Sequence, residues 1–309
     1  MPVGSIYSLQ NQSIGLAIGS SVDRIIGTKL SGPRGVEAVI EYNGIYLNDR
    51  SWIDTFIVTN IDGIDDADIR DVREDFPGYH GELLGAAYYG GRTIVLSGYI
   101  ETKTIWKMRD MIQGLRFAFS DISKEYPLIF HHYDPAYTLQ ICCKKSQKMQ
   151  IVEEQTTLNE VRRNFQITLR ARKPWFLSTD QVYATSGAFS GSTFDDILFN
   201  ITNNGNFRAE PQFWVKGPFT TLSVTNEANN QNFEINTAIP AGEQWLFDTD
   251  GHRVIKVDDG TTKYKSLTDT SEEIFLEPVD LIENNAIHVE ATGLTSGSLI
   301  EVRYQHTYM

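Results

Sequence analysis

Five aspartates crowd one short stretch, at positions 62, 65, 66, 68 and 71. Carboxylates at such spacing are what a calcium loop uses. An EF-type loop needs glycine at its sixth position, however, and counted from Asp66 that position is Asp71. The run therefore favours a solvated or interface loop over a cation site. His131, His132 and Asp134 form a second cluster of metal-ligating types. Neighbouring residues on a strand point to opposite faces, so at most one of these histidines can share a site with Asp134, and structural roles are favoured. The two cysteines, Cys142 and Cys143, are adjacent, too divergent on a strand for an unstrained disulfide, and neither stands at zinc spacing. Two free thiols made in a reducing compartment are expected, with no metal and no cofactor.

Nucleophilic and phosphate chemistry is equally absent as a pattern. There is no G-x-S-x-G elbow, no Walker A loop and no G-x-G-x-x-G. Gly85 to Gly91 is glycine-rich, but no helix opens directly after it. Trp214, Trp245 and Tyr304 can form a sugar-stacking platform; aromatics at strand positions are more often core. The second half holds many acids, yet nothing sets two of them at the separation a glycosidase needs. The chain is not expected to be an enzyme.

The elements that would position these residues are mostly strands. Asn43-Gly44 favours a tight turn between short strands around Tyr42 and Ile45–Leu47. Trp52–Val58 is a plausible strand. From Asp62 to Gly91 runs a polar segment with Pro77-Gly78, too long for an ordinary connector. Arg92–Ile100 alternates as a strand, with Ile94, Leu96, Gly98 and Ile100 on one face. Thr102–Ser120 is the one strongly periodic helix. Ile105, Met108, Ile112, Leu115 and Phe119 make its apolar stripe, and Thr102 or Thr104 is its N-cap. Further strands are expected at Pro127–His132, Tyr137–Cys143 and Arg163–Arg172, with Asp134-Pro135 turning between the first two. Residues 178–193 have the composition of a linker. Beyond them, eight short apolar runs separated by turn signals indicate a β-sandwich. The runs are Phe213–Val215, Leu222–Val224, Phe233–Ile235, Trp245–Phe247, Val254–Val257, Ile274–Leu276, Ala286–Val289 and Leu299–Tyr304.

Charge separates the two halves. Of 27 basic and 40 acidic residues, positions 1–178 carry 20 and 21, and positions 179–309 carry 7 and 19. The net charge of −13 is thus almost wholly a property of the second half. This balance argues against nucleic-acid recognition and against docking on an anionic membrane. The start of the sequence lacks a charged, then apolar, secretory pattern, and no run is apolar enough to span a bilayer as a helix.

One combination of motifs is more specific. Gly90-Gly91-Arg92-Thr93-Ile94-Val95-Leu96-Ser97-Gly98-Tyr99-Ile100 leads into an amphipathic helix ending Leu115-Arg116-Phe117-Ala118-Phe119. Pro127-Leu128-Ile129-Phe130 and a closing strand, Phe165 to Ala171, precede Lys173-Pro174-Trp175. Together with Tyr42-Asn43-Gly44-Ile45-Tyr46-Leu47, this resembles the distal tail proteins of long-tailed bacteriophages, the siphophage tail-component family. Asn203-Asn204-Gly205, Glu210 to Gly217 and Pro240 to Gln244 resemble that family's galectin-like C-terminal sandwich. The resemblance spans about residues 40–309; the first 40 residues precede the usual start.

The resemblance implies a mainly β chain with one main helix. An extension (1–40) would precede a tail-tube-like β-sandwich or barrel (41–177) with a belt arm at about 62–91. A linker (178–195) and a galectin-like sandwich (196–309) would follow. It implies a structural virion protein of the phage tail tip, assembled in the host cytoplasm. This would be a homo-hexameric ring joining the tail tube protein to the tail hub and to receptor-binding or tip-fibre proteins. DNA would pass through its channel without specific binding. Asp62, Asp65, Asp68, Pro77, Arg92 and Trp106 are then candidate interface residues. Trp106, off the apolar stripe, is either an interface anchor or a locally buried ring. The alternative is a carbohydrate-binding adhesin acting through a Trp214 and Trp245 platform.

Overall fold

A computed structural model describes residues 39–49, 54–65, 67–75, 80, 82–132, 138–152, 162–187, 189, 194–295 and 297–309. The expectations for the N-terminal arm, for Trp52, for Pro77 and for the Asp134-Pro135 turn lie outside the described residues. The chain divides between Leu177 and Ser178, with Met309 counted in the first unit.

In the first unit the strands are β1 (Val39–Tyr42), β2 (Ile45–Leu47), β3 (Thr55–Asp62), β4 (Ile69–Asp75), β5 (Glu82–Tyr89) and β6 (Arg92–Glu101). Helix α1 (Ile105–Ala118) follows, then β7 (Tyr126–His131), β8 (Leu139–Lys145), β9 (Gln150–Val152), β10 (Arg162–Ala171) and β11 (Phe176–Ser178). The main sheet runs β2-β1-β7-β8-β10-β6-β3, antiparallel at every described pairing. Its ends approach where Asn48 N donates to Phe56 O at 2.7 Å and Asn48 Oδ1 accepts from Val58 N at 2.7 Å. No ladder joins β2 to β3 among the described residues, so the sheet is open and no barrel closes.

Local chemistry accounts for these elements. Asn43 and Gly44 take φ of 46° and 78°, the left-handed pair that a two-residue hairpin turn needs. Ile94, Leu96 and Ile100 on β6 are fully buried, as their alternation predicts. Gly98, on the same face, is a steric necessity: a Cβ there would stand 2.0 Å from Ile57 O, beside the bulge between Val58 and Asn60.

Thr104 is the N-cap of α1, its Oγ1 accepting from Lys107 N at 3.3 Å, while Thr102 is buried and donates to Thr104 O. The helix is therefore shorter than the predicted 102–120. Met108, Ile112, Leu115 and Ala118 are its buried residues, and Ile105, the first residue of the expected stripe, is exposed. At the other end Asn43 Nδ2 donates to Ala118 O at 2.9 Å. Tyr42 stacks on Phe119 with ring centroids 4.4 Å apart. The β1–β2 turn thereby holds the helix C-terminus.

The second unit holds β12 (Val182–Thr185), β13 (Phe194–Ile201), β14 (Gln212–Lys216), β15 (Thr221–Asn226), β16 (Gln231–Ile235), β17 (Gln244–Asp248), β18 (Arg253–Lys256), β19 (Asn285–Thr292), β20 (Leu299–Tyr304) and β21 (Thr307–Tyr308). Two sheets, β12-β20-β14-β17-β18 and β13-β19-β15-β16, face each other. Their core includes Phe213, Val215, Trp245 and Val302 from one sheet and Val224, Phe233 and Val289 from the other. Phe233 and Phe247 stack across it at 4.4 Å.

Two sequence expectations change here. Val182–Thr185, inside the expected linker, is a strand: it pairs with β20 from Val182↔Tyr304 to Thr185↔Glu301. Ile274–Leu276 is not a strand and forms only an isolated bridge to Ala209. Side-chain amides occupy its neighbourhood instead. Asn226 Nδ2 donates to Phe275 O, Asn203 Nδ2 to Leu276 O and Asn285 Nδ2 to Glu277 O. Asn203, Asn226 and Asn285 are completely buried, and these bonds satisfy them. Gly205 follows Asn203 because any Cβ there would lie 1.9 Å from Thr307 O.

Next to this turn, His306 Nδ1 accepts from Asn204 N at 3.1 Å, so the ring must be neutral at that nitrogen. Burial lowers its pKa from the ordinary 6.5. As pH falls below 6.5 the unfolded chain takes up the proton first, so this contribution to stability is complete above 6.5 and is lost toward the lower folded value. Thermal melts at pH 7.5 and 5.5 should show an acid-induced drop in the melting temperature of the sandwich that His306→Gln makes smaller.

Candidate assembly interface

The first unit carries a buried cation that organises its outermost parts. Arg92 opens β6 and is 1% exposed. Its Nε donates to Pro174 O at 2.6 Å, and one terminal nitrogen donates to Gly63 O at 3.3 Å and to Ile64 O. The guanidinium also lies 5.0 Å from the Phe176 ring centroid. Arg92 was expected at an interface; its burial corrects that, because a planar fork with several donors is what three converging carbonyls require. The side chain therefore fixes where the chain leaves β3 and where it passes toward β11. Gly63 permits the approach, at φ 83° with no room for a Cβ against Thr93 O.

From this root rises the hairpin β4–β5. It forms a two-stranded sheet of its own, with a bulge between Asp71 and Arg73. Its base is closed by Gly90 N donating to Asp68 O at 2.5 Å. Ile69 is 60% exposed and Tyr88 62%, and the register, Ile69↔Tyr89 and Arg70↔Tyr88, puts them on opposite faces. Both faces of the hairpin thus meet solvent. Lone hairpins of this kind are marginal in water and gain stability when covered.

The outer side of α1 is the second exposed feature. Trp106 is 75% exposed and Phe117 79%. Eleven residues apart, they stand on one face about three turns from each other. The Arg109 guanidinium lies 5.5 Å from the Trp106 ring centroid. Of the two alternatives for Trp106, the structure places the ring at the surface.

The other candidates fall as follows. Asp62 accepts from Asn60 Nδ2 at 2.8 Å and Asp68 pairs with Arg170 at 3.2 Å; both are exposed, as is Asp65. Pro77 is outside the described residues. No group of three or more His, Cys, Asp or Glu suited to a metal occurs among the described residues. His131 instead meets Glu41 at 2.8 Å, and Cys142 is exposed while Cys143 is buried. Ile69, Tyr88, Tyr89 and Phe117 were not singled out from sequence. The spacing of Trp106 and Phe117 was the available signal for the last.

In the sandwich, Trp214 and Trp245 do not form one platform. The register Trp214↔Leu246 and Val215↔Trp245 sets them on opposite faces of their sheet. Trp245 is 1% exposed in the core, which removes it as a sugar-stacking ring. Tyr304 is buried as well. Trp214 is half-buried, with the Arg303 guanidinium 4.1 Å from its ring centroid and the exposed Tyr183 ring 5.5 Å from the same cation.

Residues 47–181 match the family model of the phage tail protein RIFT-related domain. Among solved structures, the chain shares its fold with the SPP1 Dit (gp 19.1) protein, described as a paradigm of the hub adsorption apparatus in phages infecting Gram-positive hosts. The TM-score is 0.62 at 13% identity, covering 88% of this chain and 99% of that one. Two structures of the phage P2 baseplate in its activated conformation, with Ca and with Sr, match at 8% identity with TM-scores of 0.45 and 0.44. Each covers 87% of this chain and 97% of its own. No curated protein matches the sequence. Residues 47–181 thus carry a likeness to a phage tail domain, within a chain that is mainly β and built from several sheets. More particularly, the chain has the fold of a siphophage distal tail protein, in agreement with the resemblance carried by its motifs.

Arg92→Ala should destabilise the first unit by about 3 kcal/mol, since three buried carbonyls lose their donor. Arg92→Lys should recover little of this, because an ammonium cannot reproduce the fork. Urea unfolding of the two variants beside the unmodified chain measures both effects.

Proposed function

We propose that this protein is the distal tail protein of a long-tailed phage, a structural subunit of the tail tip. Six copies close head to tail into a ring that joins the tail tube to the hub and the receptor-binding apparatus, with DNA passing through the channel. The observation that carries this reading is the β4–β5 hairpin. It is rooted by a buried arginine in a domain of the phage-tail type, yet is exposed on both faces, as an arm meant for another subunit would be. The tail-domain match and the distal-tail fold supply the setting. No catalytic step is assigned to the chain. Its near-neutral first half suits close packing of copies, and its acidic second half suits a solvated periphery.

A second reading, binding of host glycans through the sandwich, is favoured only at the Tyr183, Arg303 and Trp214 face. Aromatic rings flanking a cation held by Glu301 could there receive a sugar.

Light scattering coupled to size-exclusion chromatography should find a species of about 210 kDa, six chains of 34.9 kDa, alone or on addition of tail-tube subunits. Because Asp68 and Gly90 are hydrogen-bonded, residues 69–89 can be replaced by two glycines without opening the fold. That variant should keep its circular dichroism and lose the ring; a ring that persists would show that the hairpin is not the clasp. For the second reading, glycan-array binding abolished by Trp214→Ala in a folded protein would support it, and an array with no signal from the unmodified chain would remove it.

A further inference from the structure

In the second unit a cavity of about 60 Å³ opens between the end of β17, the start of β18 and residues 264–274. Its floor is apolar. Phe233 and Phe247 stack at 4.4 Å, and Phe213 meets Phe233 edge-on at 5.3 Å. Its rim is polar and unevenly charged. Asp248 and Arg253 are spent locally: Arg253 Nε donates to Asp248 Oδ2 at 2.8 Å, and Gln212 Nε2 donates to Oδ1 at 3.2 Å. Two further carboxylates stand on the same rim without a basic partner. Glu273 meets His252 Nδ1 at 2.5 Å, and the Glu272 side chain has no bonded partner among the described residues.

The mouth is held in shape by the protein itself. Gly251 leaves no space for a side chain, since a Cβ there would stand 2.5 Å from Asp248 Oδ2 and 2.8 Å from Arg253 Nε. His252 takes a φ of 49°, which few residues other than glycine adopt, and its ring reaches Glu273 on the opposite wall. The β17–β18 turn is thereby tied to the segment that carries both free acids.

Size and charge select the ligand. At about 15 Å³ for each water-sized group, the cavity holds about four such groups, the length of a four-methylene stem. A neutral apolar group would leave the two carboxylates unused, and an anion would be repelled by them. We propose that this cavity binds a primary alkylammonium group, the chemistry of a lysine side chain. The stem lies on the phenylalanine floor, and the ammonium meets Glu272 and Glu273 at the rim. The acidic second half of the chain draws cations toward the site. The ligand is carried by a partner protein as lysine or arrives as a free alkylamine. The site is independent of the ring reading.

Ligand-observed NMR titration of the full chain with ethyl-, n-butyl- and n-hexylammonium tests the proposal. Each buried methylene is worth about fourfold in affinity, so binding should tighten about tenfold from ethyl to butyl and level off at hexyl. n-Butanol, with the same stem and no charge, should bind about fivefold more weakly than n-butylammonium. Glu272→Gln with Glu273→Gln should weaken n-butylammonium about fivefold without changing the circular dichroism. Asp280→Asn with Glu283→Gln, two exposed acids that do not line the cavity, should leave binding unchanged. Nα-acetyl-lysine N-methylamide separates the sources: binding as tight as that of n-butylammonium supports a partner's lysine, and its exclusion while n-butylammonium binds supports a free amine. Equal binding of butanol and butylammonium, or an undiminished affinity in the folded Glu272 and Glu273 variant, overturns the cation site. Affinity that keeps climbing to hexyl overturns the enclosed cavity, and no saturable binding of any amine overturns the site altogether. None of these outcomes alters the oligomeric state, so the ring reading stands or falls separately.

Discussion

A single guanidinium holds together the parts of the first unit that face outward. Arg92 is buried, and a buried cation is tolerated only where its donors are used. Here they are used on carbonyls from two distant stretches, Gly63 and Ile64 at the exit of β3 and Pro174 before β11. Had those carbonyls been left unpaired, each would carry a desolvation penalty of about 1–3 kcal/mol. The side chain thus makes two loops mutually dependent. The exposed hairpin springs from one of them, and the chain runs toward the second unit from the other. An exposed hairpin needs a fixed root, and this is the root.

The glycines around it belong to the same constraint. Gly63 reaches positive φ against Thr93 O, Gly90 closes the hairpin base on Asp68, and Gly98 lets β6 pass the bulge of β3. The Gly-Gly-Arg-Thr motif is therefore a packing solution. Backbone comes within a bond's reach of backbone, and the arginine fills what remains. In the sandwich the corresponding device is amide chemistry. Asn203, Asn226 and Asn285 hold a stretch of backbone that pairs with no strand. Both units thus aim buried polar side chains at the backbone of irregular segments, where hydrogen bonds offset the cost of burying them.

Aromatic residues divide by position within each unit: Tyr183 and Tyr264 of the sandwich are exposed, and Tyr42, Phe119 and Phe130 of the first unit are buried. The sandwich is rich in large rings, yet Trp245, Phe213, Phe233 and Tyr304 are interior. The tail domain presents Trp106, Phe117 and Tyr88 to solvent. Exposed rings next to charges are a surface prepared for another macromolecule. They lie on the near-neutral half of the chain.

The alternation of Arg92–Ile100 and Arg163–Arg172, the stripe of α1, the Asn43-Gly44 turn and seven of the eight sandwich runs were legible in the sequence. Each rests on a local period or a local φ requirement. So was the tail-protein resemblance, since the motif residues are the ones that close packing demands. What local pattern cannot carry is partnership at a distance. Val182–Thr185 reads as linker because the surrounding residues are a mix of Ser, Thr, Gly and Ala, and it becomes a strand because β20 offers it an edge. Ile274–Leu276 reads as strand and is claimed by asparagine amides from up to 73 residues away. Arg92 reads as surface by residue type and is drawn inside by carbonyls 28 to 82 positions distant. Trp214 and Trp245 read as a pair, and a register set by neighbouring strands turns them to opposite faces. The sequence by itself determined the elements, the charge asymmetry and the family likeness. Only the tertiary structure decided which polar groups are buried and which rings are exposed, because both depend on contacts between residues far apart in the chain.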